Sequence, residues 1–216
     1  QTLDRGVQID LSTESCKRFL RRKVNQKVGV VILYVDIDGS TKMSMALSPD
    51  KFATILHIFS QEMSLLTSEC GGYVLKYVGD AIIALFPAEY DRGQASKNAV
   101  DCAKYIQTII KECINPELIA RGLPQLSVKM SIDYGDVQVV LYGKSLDRSH
   151  IDIVGSSISM AAKMIPLAKT WQIVIGQSMY ENLDSKQNFI EMNIDPARWT
   201  YIDEKTGRSY KLYALR

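Results

Sequence analysis

The chain reads as an α+β protein, and three features of the sequence predict it. Short β-branched apolar runs alternate with amphipathic stretches at helical spacing, two of the runs are joined by a tight turn at Val78-Gly79, and a long run, Leu126 to Val140, follows the second amphipathic stretch. Strand, helix, hairpin, helix and long strand in that order give the βαββαβ arrangement of a ferredoxin-like core, with additional strands and helices toward the C-terminus.

With 216 residues, 46% of them hydrophobic, the chain is long enough to bury the core of one domain. A net charge of +2 is too mild for a nucleic-acid binder, whose basic residues gather on one face, but it is compatible with a small anionic ligand. Cys16, Cys70, Cys102 and Cys113 show no Cys-x-x-Cys spacing and only His57 and His150 are present, so the cysteines read as free thiols rather than zinc ligands. No apolar run approaches the roughly 18 residues of a membrane span, and no signal peptide opens the sequence; a cytoplasmic location is expected.

Residues 1–27 carry Lys17, Arg18, Arg21, Arg22, Lys23 and Lys27 around a few apolar positions and predict a short basic leader helix with a solvated face, a signalling helix that joins an upstream sensor, regulatory domain or membrane part being the alternative. Residues 28–216 form the domain proper. Gly29 to Ile37 is a continuous apolar strand. Ser48-Pro49-Asp50 starts a helix whose Phe52, Ile55, Leu56, Ile58, Phe59 and Met63 make an apolar stripe. Gly71-Gly72 breaks it, and Tyr73 to Tyr77 with Ala81 to Phe86 form the hairpin, so that Lys76 and Asp80 flank one turn. Gln94 to Cys113 is a helix closed by Asn115-Pro116. After the long strand come a polar loop, Ser145 to Ser149, a short strand, Ile151 to Val154, and a helix from Gly155-Ser156-Ser157 through Ala168. Strands at Trp171 to Ile175, near Phe189 and from Tyr210 to Leu215 complete the order.

Two of these strands deliver a carboxylate to their ends, Asp36 and Asp80, and strand ends hold such groups without loop slack. Hard oxygen donors of this kind suit magnesium or manganese, two ions about 3.5–4 Å apart being able to activate a nucleophile and stabilise a leaving group. The Ile37 carbonyl could add a ligand, and the backbone N–H groups of Gly39, Ser40 and Thr41, at a helix start, suit a triphosphate. Singly, each acid has a plainer reading: Asp36 or Asp38 as a helix cap, the preferred role for Asp38, and Asp80 as a solvated turn residue.

The segments YVDIDGST, KYVGDAIIALFP, SIDYGDVQVVLYG and IDIVGSSISMAAKM resemble, in this order and at these distances, the catalytic domain of class III nucleotidyl cyclases, the adenylyl and guanylyl cyclases. The resemblance is specific over approximately residues 28 to 182 and continues weakly to the C-terminus. It implies a head-to-tail homodimer whose active sites are each built from both chains, with two divalent cations held by Asp36 and Asp80. Lys76 and Asp152 match the purine-reading pair that the partner contributes. Adenine shows a ring acceptor beside an amino donor, which an ammonium and a carboxylate complement, so ATP is favoured over GTP as substrate and cyclic AMP as product. Singly, Lys76 could be an exposed strand lysine and Asp152 a sheet-edge charge.

The departures from the family pattern matter equally. Where the family places an Asn and, four residues on, an Arg that steady the transition state, this sequence has Ser159 and Lys163, on one helical face. Lysine keeps the charge and loses the two-pronged donor, and serine has a shorter reach than an amide. Slow turnover, or a cyclase-like domain that binds nucleotide for regulation, is the alternative this raises; plain packing and surface roles for the two residues stand beside it. Asp136 falls where some relatives place a phosphate-binding arginine. The family's late triphosphate lysine has only Lys205 or Arg208 as counterparts. A diguanylate cyclase is disfavoured because Gly71-Gly72-Tyr73 lacks the acidic pair those enzymes carry.

Overall fold

A computed structural model describes residues 12–143, 149–203 and 206–216. Helix α1 (Ser12–Arg21) precedes strand β1 (Lys27–Ile37), a short helix α2 (Ser40–Ala46) and the long helix α3 (Pro49–Glu69). The hairpin β2 (Tyr73–Val78) and β3 (Ala81–Pro87) leads to α4 (Arg92–Ile109) and α5 (Asn115–Ala120). Then follow β4 (Val128–Tyr142), β5 (His150–Val154), α6 (Ser156–Met164), β6 (Ile173–Gly176), α7 (Gln177–Glu181), β7 (Phe189–Glu191) and β8 (Leu212–Leu215).

One mixed sheet runs in the order β2-β3-β1-β4-β6-β8-β7, with β5 paired to β4. Its β2-β3-β1-β4 portion is antiparallel throughout, the ferredoxin-like core the sequence predicts, and β6 to β8 extend it beyond β4. Alternation along β1 sends Val31, Leu33, Val35 and Ile37 to the face covered by α3 and α4, and Val28, Val30 and Ile32 to the face covered by α1 and α6. Each fully buried Leu, Ile or Phe on either face contributes about 1.5–3 kcal/mol. The leader region does more than present charge: Cys16 and Leu20 are fully buried under α1, and Phe19 stacks on Tyr73 of β2.

Asn115-Pro116 does not close the second long helix. The chain passes from α4 through a π-helical turn, Ile110–Ile114, into α5, which carries Pro116 in its first turn. The Asn115 side chain instead donates to the Leu126 carbonyl at 2.8 Å and accepts from its N–H at 2.7 Å, fixing the entry to β4. Helix α2 begins where the sequence places a helix start, at Gly39 to Thr41, whereas α7 was not expected; with five residues it is too short for a periodic signal. Of the polar loop expected at Ser145 to Ser149, residues 145–148 lie outside the described residues, as does Lys205.

The C-terminal strands are tied to β4 by a buried carboxyl. Asp133 accepts from the Tyr210 hydroxyl at 2.7 Å and from the Tyr134 N–H at 3.0 Å, and Tyr210 in turn accepts from the Ser178 N–H. Burial pushes Asp133 up to about 7, against the pull of these hydrogen bonds. A Cβ on Gly176 would stand 2.4 Å from the carboxylate of Asp133 and 2.8 Å from the Tyr210 hydroxyl, so β6 approaches this pair only as glycine.

Candidate active site

Asp36 lies one residue from the end of β1, directly opposite Ala81 of β3 on one side and Lys129 of β4 on the other. Opposed residues project from the same face, so Asp36 and Lys129 stand side by side on the face that carries α6. The β2–β3 turn brings in the second acid. Gly79, at φ 62°, supplies the left-handed conformation the tight turn needs, and half-buried Asp80 follows it. The two carboxylates feel one another: partial burial pushes Asp36 up to about 6, the negative charge of Asp80 adds to the rise, Lys129 opposes it, and Asp38 adds a further small increase.

This donor set fits a hard divalent cation. Two acids at adjoining strand ends whose charges act on one another each favour a counter-charge, and the Ile37 side chain is buried in the core, so only its backbone is available as a donor. Among the described residues no group of three or more His, Cys, Asp or Glu side chains gathers as a metal cluster. The two-acid set therefore leaves room for oxygens from water and substrate phosphates, which is how magnesium is ordinarily held.

Asp38 does not cap α2, contrary to the sequence expectation. It pairs with the Lys129 ammonium at 2.6 Å and accepts a short hydrogen bond from the Thr170 hydroxyl, and these partners hold its carboxyl below the usual carboxylate range. Gly39, at φ 78°, occupies the cap position, and no side chain satisfies the first N–H groups of α2, at Ser40 and Thr41. Lys129 and Thr170 went unnoticed in the sequence. The one signal for Lys129 is a cation between Val128 and Met130 in an otherwise apolar strand.

The second constellation is Lys76 with Asp152. Lys76 Nζ lies 2.5 Å from Asp152 Oδ2, while Asp152 Oδ1 accepts the Ile153 N–H at 2.9 Å, which fixes the carboxylate plane. Both side chains are half-buried, where an ion pair is screened less than on an open surface. His150 Nε2 stands 3.8 Å from the same oxygen.

Ser159 and Lys163 lie on the exposed face of α6, Ser159 bonding only back to the Gly155 carbonyl at 3.3 Å. The charges acting on Asp36 are Asp80, Lys129 and Asp38. Arg208 sits exposed in the turn before β8, its carbonyl accepting the Asp203 N–H. One chain thus brings together Asp36 with Asp80, and Lys76 with Asp152, while Ser159, Lys163 and Arg208 stay at the surface.

Among the described residues no helix is long and apolar enough to cross a membrane. Residues 23–203 match the adenylate and guanylate cyclase catalytic domain family. An adenylate cyclase of Anabaena cylindrica is 31% identical over 177 residues, 77% of this chain and 33% of that protein. A cytidylate cyclase of Staphylococcus aureus is 26% identical over 174 residues, 79% of this chain and 41% of that protein. The chain therefore spans about a third to two-fifths of the length of these relatives. In fold it is similar to the guanylyl cyclase Cya2 (TM-score 0.74, 20% identity, 89% of this chain and 93% of that one). It is also similar to the adenylyl cyclase CyaB from P. aeruginosa (TM-score 0.73, 21% identity, 88% and 95%). On the strength of these matches the chain belongs to the adenylate and guanylate cyclase catalytic domain family, as a class III nucleotidyl cyclase domain.

Proposed function

We propose that this domain is an adenylyl cyclase, converting ATP to 3′,5′-cyclic AMP and pyrophosphate at sites shared across a cytoplasmic head-to-tail homodimer. The observation that carries the reading is the Lys76–Asp152 pair, a donor and an acceptor locked side by side at 2.5 Å. Adenine presents an acceptor next to an amino donor and complements that pair, whereas guanine and uracil present the reverse polarity and leave both groups poorly matched. Cytosine shares adenine's polarity and differs in ring size, and two-ring adenine is the base we assign.

Asp36 and Asp80, with the Ile37 carbonyl, would hold two magnesium or manganese ions. Bound there, such ions lower the pKa of the ribose 3′-hydroxyl and offset the charge of the departing pyrophosphate. The chain's own groups do the rest. The open N–H groups after Gly39, at Ser40 and Thr41, receive phosphate oxygens. Lys163 and Ser159 of the second subunit face the ribose and α-phosphate across the seam, where a preorganised donor acts on charge developing in the transition state. Lys205 or Arg208 serves the triphosphate tail.

One observation favours a second reading, a nucleotide-binding domain of low turnover: Ser159 and Lys163 replace the amide and guanidinium donors of the family. Incubating the purified protein with manganese and ATP, GTP, CTP or UTP side by side tests both readings. Cyclic AMP as the main product supports the first. Binding of a non-hydrolysable ATP analogue without any cyclic product supports the second, and a main product from another nucleotide overturns the base assignment.

A further inference from the structure

Three acids, Asp36, Asp38 and Asp80, lie at the end of β1 and in the adjoining β2–β3 turn, yet the Asp38 carboxylate is drawn to a cation of its own. That cation is Lys129. It stands opposite Asp36 in the β1–β4 register, one strand spacing or about 4.8 Å away, and its ammonium is clamped on Asp38 at 2.6 Å. Thr170 braces the same carboxylate from the α6–β6 connection. That brace is itself anchored. The next residue, Trp171, holds a left-handed φ of 65°, donates its N–H to the Val128 carbonyl at 2.8 Å and accepts the Gln107 amide at 2.5 Å, with Lys111 over its ring. Non-glycine residues take such a conformation only where the surroundings fix it. The ammonium is thus held by a rigid frame spanning β1, β4 and the start of β6, not by a mobile surface contact.

We infer that Lys129 is a built-in counter-cation of the acid pair, a positioning residue that keeps Asp38 out of the cation site and weakens divalent-ion binding until a triphosphate supplies further negative charge. The inference rests on the assignment of Asp36 and Asp80 as cation ligands. Without Lys129 the charge that opposes Asp80 and Asp38 at Asp36 would be gone, and the acid pair would attract a dication whether or not nucleotide is present. With it, one of the three charges is cancelled and one strand-end neighbour of Asp36 is already positive. In a solvent-screened site, removing a unit positive charge that acts on Asp36 strengthens dication binding by about tenfold.

The test is titration of the protein with Mn2+ alone, without nucleotide, followed by electron paramagnetic resonance of free Mn2+ and by the ion-induced rise in melting temperature. Lys129→Met is expected to bind Mn2+ about tenfold more tightly than wild type, and Lys129→Arg, which keeps the charge, to stay within about twofold. Asp38→Asn frees the ammonium to turn onto Asp36 and is expected to bind several-fold more weakly. A merely structural lysine would give weaker binding in Lys129→Met or no change, and either result overturns the inference alone. Should Lys129→Met not fold, unchanged or tighter binding in Asp38→Asn overturns it in the same way. If wild type shows no Mn2+ binding that Asp36→Ala removes, the cation-ligand assignment falls, and this inference with it.

Discussion

Lys76 and Asp152, separated by 76 residues, meet at 2.5 Å because the β4–β5 hairpin folds back beside α1 toward β2. The pair is assembled within one subunit and awaits a base from outside. Lys76→Glu reverses the polarity of one member and sets two carboxylates against each other. ATP turnover should then fall relative to GTP turnover by at least about tenfold, in line with the cost of leaving buried polar groups unpaired. The ratio of cyclic AMP to cyclic GMP formed in parallel assays checks this; an unchanged ratio removes the pair from base selection.

Asp36→Ala takes away one of the proposed cation ligands and, with it, the repulsion between Asp36 and Asp80 that raises the proton affinity of Asp36. Metal-dependent turnover should drop below about 1% of wild type, while the melting temperature without metal stays the same or rises slightly. Activity assays beside thermal melts of the metal-free protein separate loss of the site from loss of the fold.

The proposed shared-site homodimer has its own signature. Asp36→Ala and Lys76→Glu would each inactivate both sites of a symmetric dimer, but a mixed dimer joins both lesions in one site and leaves the other intact. Mixing the two inactive proteins in equal amounts should restore about a quarter of wild-type activity by random pairing. No recovery after subunit exchange would argue that each chain completes its own site.

Ser159→Asn with Lys163→Arg restores the donor types of the wider family on the exposed face of α6. Turnover should rise, by on the order of tenfold or more, with little change in KM, as expected for contacts made only in the transition state. Steady-state kinetics on the double variant decides it, since a rise confined to affinity would place these residues elsewhere.

Asp133 gives a pH dependence of stability. Its carboxyl titrates near 7 in the fold and near 4 in the unfolded chain, so between these values the folded state holds a proton that the unfolded state has lost. Stability therefore falls as pH rises from about 4 to 7 and levels off above, a loss of about 1 kcal/mol or more. Asp133→Asn keeps an acceptor for Tyr210 and should flatten that window. Urea unfolding at pH 5 and pH 8, for both proteins, measures the difference.

Much of this arrangement was legible in the sequence. The strand of Gly29 to Ile37, the Ser48-Pro49 helix start and the hairpin around Gly79 announced themselves through local rules of periodicity, capping and turn chemistry. So did the delivery of Asp36 and Asp80 to adjoining strand ends. What was not legible depended on contacts far apart in the chain. Asp38 looks like a helix cap because its neighbours make it one; only the register of β1 against β4 puts Lys129 in reach, and only the α6–β6 connection adds Thr170. Asn115-Pro116 looks like a stop because proline usually is one, and the π-helical turn that absorbs it leaves no mark in the periodicity.

The hydroxyl that satisfies the buried acid of β4 arrives 77 residues later in synthesis. A nascent chain that has made the whole βαββαβ portion therefore holds this carboxyl without its Tyr210 donor, on the local Tyr134 N–H alone among the groups of that portion, until Tyr210 clears the ribosome. The closing strands are a completion step: before they dock, the half-made domain exposes a polar defect that favours reopening, which delays its commitment to the final packing.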